Sequence, residues 1–201
     1  IKKELILKGL FLNNRITSLS LIDNTMWVGH DGGISFVKDN VISNIEFSGD
    51  GNDRSRNVSE IVEFKNKIFV SSNGGGLFVK EDNALKKIKL DSVGHEKIRA
   101  MVTYGDELFL ATRNGILISK DGKHFVQSER FGNKSFSGIF VKDDVMVLST
   151  FFEGVEILNL KSDSSQFIHQ NNPHHTIYGC YVDNNQAIWL YSLLGLIKVN
   201  T

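Results

Sequence analysis

The sequence predicts an all-β fold built from repeated small antiparallel sheets, and three observations carry the prediction. One pattern recurs five times along the 201 residues: a polar loop, a short apolar strand, a turn rich in Asp, Asn or Gly, a second apolar strand, then glycine and a third strand. The glycines that open the third strands are Gly33, Gly76, Gly115, Gly154 and Gly195, spaced 43, 39, 39 and 41 residues apart. No connection between units is long enough to hold a crossover helix. A period of roughly 40 residues with several strands per unit is the signature of β-propeller blades, whereas helical arrays need paired helical patterns in each unit.

The first strands include Val58-Ser59-Glu60-Ile61-Val62 and Ile98-Arg99-Ala100-Met101-Val102, whose apolar spacing also fits a helix. Their counterparts decide the matter. Ile16 to Leu21, Phe136 to Val141 and Ile177 to Val182 are rich in β-branched, aromatic and glycine residues, which favour strands. Asp23-Asn24, Lys65-Asn66, Gly105-Asp106, Asp143-Asp144 and Asp183-Asn184 then supply hairpin-length turns. The second strands, Met26 to Gly29, Ile68 to Ser71, Leu108 to Ala111, Met146 to Ser149 and Ile188 to Tyr191, are apolar on successive residues, as strands buried on both faces are. Outer fourth strands are expected at Val41 to Phe47, Ala84 to Leu90, His124 to Ser128 and Ser165 to His169. The fifth unit has none before Thr201, while Leu5-Ile6-Leu7 lies in a strand-like run from Lys3 to Lys8. That run is expected to supply the missing outer strand and so cover an open edge. The expected architecture is therefore a single propeller domain, 1–201, of five four-stranded blades at about 13–50, 51–92, 93–131, 132–170, and 171–201 joined by 1–12. A piece of a larger propeller remains the alternative.

Composition narrows the functions. Twenty-three basic and 23 acidic residues leave no net charge, so the footprint of a sequence-independent nucleic-acid binder or a polybasic membrane binder is absent. Apolar runs are far short of the ~20 residues a membrane helix needs, and direct membrane insertion by this segment is not expected. The single cysteine, Cys180, rules out an intrachain disulfide, a thiolate zinc cluster and a CxxC redox pair. No cofactor and no metal site is expected.

The last unit adds a resemblance. Asn172-Pro173-His174-His175 through Val182-Asp183-Asn184-Asn185-Gln186-Ala187-Ile188-Trp189-Leu190-Tyr191 to Gly195-Leu196-Ile197 resembles the two-component regulator propeller repeat, with its Asn-x-Pro-like turn, Asp-x-x-Gly, Leu-Trp-Ile-Gly-Thr core and closing Gly-Leu strand. Met26-Trp27-Val28-Gly29-His30-Asp31-Gly32-Gly33-Ile34 is similar to the same core. The middle units lack the tryptophan, Asn184-Asn185-Gln186 replaces the favoured glycine, and Leu193-Leu194 precedes Gly195. The resemblance implies a periplasmic or extracellular sensory domain of a bacterial signalling receptor, in a family that often answers carbohydrate-derived ligands.

Catalytic readings find less support. Glycoside hydrolysis needs two carboxylates at a controlled separation, and the inner strands offer only Glu60 and Glu63, which alternate to opposite faces. No Gly-x-Ser-x-Gly elbow occurs. The protein is therefore not expected to be an enzyme. Gly74-Gly75-Gly76 is followed by a strand instead of a helix N-terminus, so it reads as a tight turn and not a phosphate cradle. Ser119-Lys120-Asp121-Gly122-Lys123-His124-Phe125 resembles an Asp-box turn, one residue short, which is structural. Cys180 in an inner strand reads as a buried small hydrophobe.

A ligand would bind where the loops preceding first strands and the hinges between second and third strands emerge together. Those loops bring Arg15, Arg54, Arg56, His95, His174 and His175, and the hinges bring His30, Asp31, Asn73, Arg113, Asn114, Phe151, Phe152 and Glu153. Aromatic faces beside planar hydrogen-bonding groups suit a carbohydrate or other polar small molecule. Phe151 or Phe152 could instead plug the channel. The rival function is a protein-interaction scaffold holding a partner chain or a homodimer mate.

Overall fold

The structure is a computed structural model, and it describes residues 9–47, 57–90, 96–168 and 176–199. These residues form five antiparallel sheets and almost no helix. The chain divides into two compact units, residues 1–98 and 99–201. The first unit holds β1 (Ile16–Ile22), β2 (Thr25–His30), β3 (Gly33–Lys38) and β4 (Val41–Glu46), then β5 (Val58–Phe64), β6 (Lys67–Ser72), β7 (Gly76–Glu81) and β8 (Ala84–Ile88). In the second, β9 (Ile98–Tyr104), with only Ile98 across the boundary, leads into β10 (Glu107–Thr112), β11 (Gly115–Ser119) and β12 (Val126–Gln127). There follow β13 (Phe136–Lys142), β14 (Val145–Thr150), β15 (Val155–Asn159) and β16 (Ser164–Ile168), and finally β17 (Ile177–Val182), β18 (Ile188–Ser192) and β19 (Gly195–Val199). Every sheet is a meander in which each strand pairs with its sequence neighbour.

Turn chemistry sets the register. Asp23 and Asn24, Asp39 and Asn40, and Lys65 and Asn66 all take positive φ, between 47° and 63°. Two consecutive left-handed residues make the two-residue turn whose twist matches that of the flanking strands, and Asp and Asn tolerate that conformation best. Ile22 therefore faces Thr25, and Phe64 faces Lys67, across their turns. Four of the second strands are buried as the sequence indicated, Val28, Val70, Leu110 and Leu148 being fully inaccessible, but the fifth departs from the expectation, since Tyr191 in β18 is exposed and Trp189 only half-buried. In the first unit Trp27, Ile34 and Ile45 pack with Val58, Ile61, Val70 and Phe78. In the second, one cluster gathers around Phe109, Ile116, Phe136 and Leu148, and another around Val147, Val155, Ile177 and Leu190.

The inner strands share an irregularity. The register slips between Ile16 and Ser18, Val58 and Glu60, Phe136 and Gly138, and Ile177 and Gly179. Each slip is a β-bulge, in which one extra residue is left out of the ladder and its side chain is re-aimed. The residues at the bulge are Thr17, Ser59, Ser137 and Tyr178, and the same sequence position in β9 is Arg99.

Two elements depart from expectation. The outer strand expected at His124 to Ser128 shrinks to β12, because the Asp-box-like turn takes up the chain. Asp121 Oδ1 accepts from the Lys123 and His124 N–H groups at 2.8 Å, Ser119 Oγ accepts from Gly122 N at 2.9 Å, and Phe125 is driven into the core. The fifth sheet has three strands among the described residues, and the run expected to complete it, Lys3 to Lys8, lies outside them. Within the second unit the described residues of this sheet are buried on one face only. Leu196 is 66% exposed, whereas Ile34, Leu77, Ile116 and Val155, which stand at the same place after the third-strand glycine, are buried.

Candidate functional site

In the first unit the predicted residues His30, Asp31 and Arg15 belong to a polar network that leaves His30 Nδ1 and Asp31 Oδ1 buried without a hydrogen-bond partner among the described residues. His30 closes β2 and is fully buried, with Nε2 2.9 Å from Ser35 Oγ. Ser35 Oγ donates to Asn44 Oδ1 at 2.6 Å, and Asn44 Nδ2 donates to the Leu10 carbonyl at 3.0 Å. Burial holds the imidazole below its ordinary pKa, against the raising effect of nearby carbonyls at Arg15 and Asn13 and the Asp31 carboxylate. Arg15, in the loop before β1, reaches Asp31 at 2.9 Å. The arrangement ties the loop before β1 to the hinge after β2, and it places His30 beyond the reach of a solvent-borne ligand. Asn73 sits on the hinge after β6, where its N–H donates to the Asn57 carbonyl at 3.0 Å. Arg54, Arg56, His95, His174 and His175 lie outside the described residues.

The second unit brings its predicted residues to an accessible end. The hinge after β14 carries Phe151, Phe152 and Glu153, and it is fixed by Thr150 Oγ1, which donates to the Gly154 carbonyl at 3.0 Å and accepts from Glu153 N at 2.9 Å. The hinge after β10 carries Arg113 and Asn114 and repeats the device: Thr112 Oγ1 donates to the Gly115 carbonyl at 2.8 Å and accepts from Asn114 N at 3.1 Å. A threonine closing the second strand thus builds a rigid hinge in each case, and both hinges present side chains from a supported backbone.

A cavity of about 280 Å³ opens beside the β14 hinge, with Lys134, Phe136, Thr150, Phe152, Glu153 and Phe167 in its walls. Lys134 Nζ stands 3.4 Å from Glu153 Oε2 and 5.0 Å from the Phe167 ring centroid. Phe152 is 73% exposed and tilts against Phe151 at 6.2 Å. Phe151 in turn lies under the Arg99 guanidinium, 4.5 Å from ring centroid to Cζ. The two phenylalanines thus differ: Phe152 is exposed to solvent, while Phe151 is a platform for Arg99. Sequence reasoning missed Phe167 and Arg99. Phe167 sits on an outer strand, where nothing marks an aromatic as part of a hinge site, but Arg99 was visible as the one charged residue in a series of small hydroxyls and a tyrosine.

The site offers two aromatic faces, a cation and a carboxylate on fixed backbone. Such a lining can stack on an apolar ring face while donating and accepting hydrogen bonds at its rim. Among the described residues no group of three His, Cys, Asp or Glu side chains could hold a metal ion. Cys180 is half-buried against the cluster around Val147 and Leu190, and desolvation pushes its thiol up to about 12, opposed by a hydrogen bond with Ser149, which leaves it protonated. No helix among the described residues is long and apolar enough to cross a membrane.

The sequence matches no family model and no curated protein. Solved structures do match. The extracellular domain of a Bacteroides thetaiotaomicron protein described as a hybrid two-component system superposes with a TM-score of 0.73 at 14% identity, over 94% of this chain and 29% of that one. A second extracellular domain from B. thetaiotaomicron, of a protein described as a one-component system, gives 0.71 at 16% identity over 93% of this chain and 28% of its own. Virginiamycin B lyase of Staphylococcus aureus gives 0.69 at 12% identity, over 95% of this chain and 72% of the lyase. At these identities the likeness shows the fold, which is that of the β-propellers. The chain spans less than a third of the length of the two sensor domains. Sensor and lyase share this fold, so function has to be argued from the site.

Proposed function

We propose that this chain is a non-catalytic, ligand-binding part of an extracytoplasmic sensor in a bacterial signalling receptor, and that its ligand is a carbohydrate or other polar small molecule. The observation that carries the reading is the cavity at the β14 hinge, where Phe152 and Phe167 stand beside the Lys134–Glu153 pair. The similarity to extracellular domains of signalling proteins supports the sensory part. A thermal-shift screen against mono- and oligosaccharides tests it, because a ligand that prefers the folded state raises Tm by mass action. One sugar class should raise Tm, and Phe152→Ala together with Glu153→Gln should abolish the rise without lowering the Tm of the free protein. A screen in which no sugar shifts Tm would count against this reading.

A second reading is favoured by the exposed face of the fifth sheet, where the cross-strand pair Tyr191 and Leu196 is exposed among the described residues. Exposed apolar surface of this kind marks interaction sites. A scaffold that engages a protein partner or a homodimer mate would show concentration-dependent mass by light scattering, weakened by Leu196→Glu.

A further inference from the structure

Arg99 has no ordinary structural explanation. It stands in β9 at the position where the other inner strands bulge, and two of those strands place a serine there that is satisfied locally. Ser59 Oγ lies 2.8 Å from Ser71 Oγ, and Ser137 Oγ donates to Ser149 Oγ at 3.0 Å. In β9 the same position carries a guanidinium whose Nε is buried and has no hydrogen-bond partner. Its one described contact is the Phe151 ring. Burial lowers its pKa, and so does the like charge of Arg113 on the β10 hinge. Among the described residues neither arginine forms an ion pair with a carboxylate. A buried donor without a partner and two like charges held together each cost stability. A bound anion beside the two guanidinia offsets the like-charge cost, and the guanidinium fork matches the geometry of an oxyanion.

We propose that Arg99 and Arg113, with Phe151 as the platform that orients Arg99, form an oxyanion subsite that takes the carboxylate or sulfate group of an acidic ligand. The subsite rests on the ligand-binding reading above and narrows it, since the ligand would carry a negative group at the Arg99 end and an apolar ring face toward Phe152. Arg99 contributes the guanidinium held on Phe151, and Arg113 an exposed, hinge-mounted guanidinium. Phe151 stacks on the Arg99 fork and limits its rotation.

The test is titration of the 201-residue chain with glucuronate, glucose and inorganic sulfate, followed through the arginine Nε–Hε signals in nitrogen-15 spectra. Glucuronate should bind saturably, shift the Arg99 signal, and bind about tenfold or more tightly than glucose, as expected of a charge-assisted bidentate contact. Sulfate shifting the same signals without glucuronate doing so would assign the subsite to tetrahedral oxyanions. Arg113→Gln, on an exposed hinge, should weaken binding with Tm unchanged or slightly raised. Arg99→Ser, which installs the residue found at the equivalent place in β5 and β13, should abolish binding and leave the free protein as stable or more stable. If Arg99→Ser lowers Tm and anion binding survives, Arg99 is structural and the proposal is overturned. If glucose binds as tightly as glucuronate, the oxyanion subsite falls while the ligand-binding reading stands. If none of the three binds, the subsite falls, and the oligosaccharide screen decides the wider reading separately.

Discussion

At the scale of single residues, burial of ionisable groups sets the pH response. Glu60 in β5 is half-buried, and desolvation pushes its carboxyl up to about 7, against a smaller lowering by the Ile61 backbone N–H. The unfolded carboxyl ionises near 4.5, so between the two values the folded state holds a proton that the unfolded state has lost. Stability from this group is full below pH 4.5 and falls as pH rises toward and through 7, by at most on the order of 3 kcal/mol. Buried His30 acts in the opposite sense, because its lowered pKa gives stability that is lost as pH falls. Comparison with a variant separates them: Glu60→Gln should be more stable than the parent at pH 8 and nearly equal at pH 4.5, measured by urea unfolding at both values. Cys180 should resist alkylation at pH 8 in the folded protein and react within seconds to minutes of unfolding, since the thiolate is the reactive form; a fast folded-state reaction in a thiol-labelling assay would show that the thiol is accessible. Glu60 and Cys180 were legible as inner-strand residues from the repeat alone. Their ionisation was not, because desolvation depends on what the neighbouring sheets place over them.

At the scale of elements, the third-strand glycines look identical in sequence and differ in the fold. Gly33 has φ +156°, and a Cβ there would stand 2.3 Å from the Ile45 carbonyl of β4. Gly195 has φ +119° and nothing within 4 Å of the same added atom. Gly33→Ala is expected to cost about 2 kcal/mol or more, combining strain with a backbone clash, and Gly195→Ala about 1 kcal/mol from strain alone. Chemical denaturation of the two variants measures the difference, and equal costs would mean that the sheet relaxes around the added methyl. Strand positions and turns were legible because hairpin chemistry is local: Asp-Asn and Lys-Asn pairs specify their turn within two residues. The shortened β12 was not legible, since the Asp121 turn and the burial of Phe125 compete with strand pairing for the same segment. The His30 network was likewise hidden, because Ser35 and Asn44 come from two further strands and nothing in the His30-Asp31 dipeptide shows that they will be near.

At the scale of the whole chain, protection from solvent should follow sheet coverage. Amides in β6, β10 and β14 are central in their sheets and buried on both faces, while β19 is exposed along most of its length. Hydrogen exchange should therefore release the β17 to β19 sheet first and the central strands last, as local opening tracks buried contact; uniform exchange across the sheets would show a single cooperative unit instead. The repeat made the all-β class and the meander order legible at once, because each unit repeats the evidence of the others. The coverage of the fifth sheet was not legible, since Leu196 reads like Ile34, Leu77 and Ile116. The recurring bulge has a consequence of a different kind. A residue that sits outside the ladder can change identity without disturbing the pairing on either side. Thr17, Ser59, Ser137 and Tyr178 at the bulges, and Arg99 at the matching sequence position in β9, show how widely that one position already varies within a single chain. It is the place where duplicated units can diverge in chemistry while remaining alike in shape, and a combinatorial library restricted to these five positions would sample new recognition on a scaffold that continues to fold.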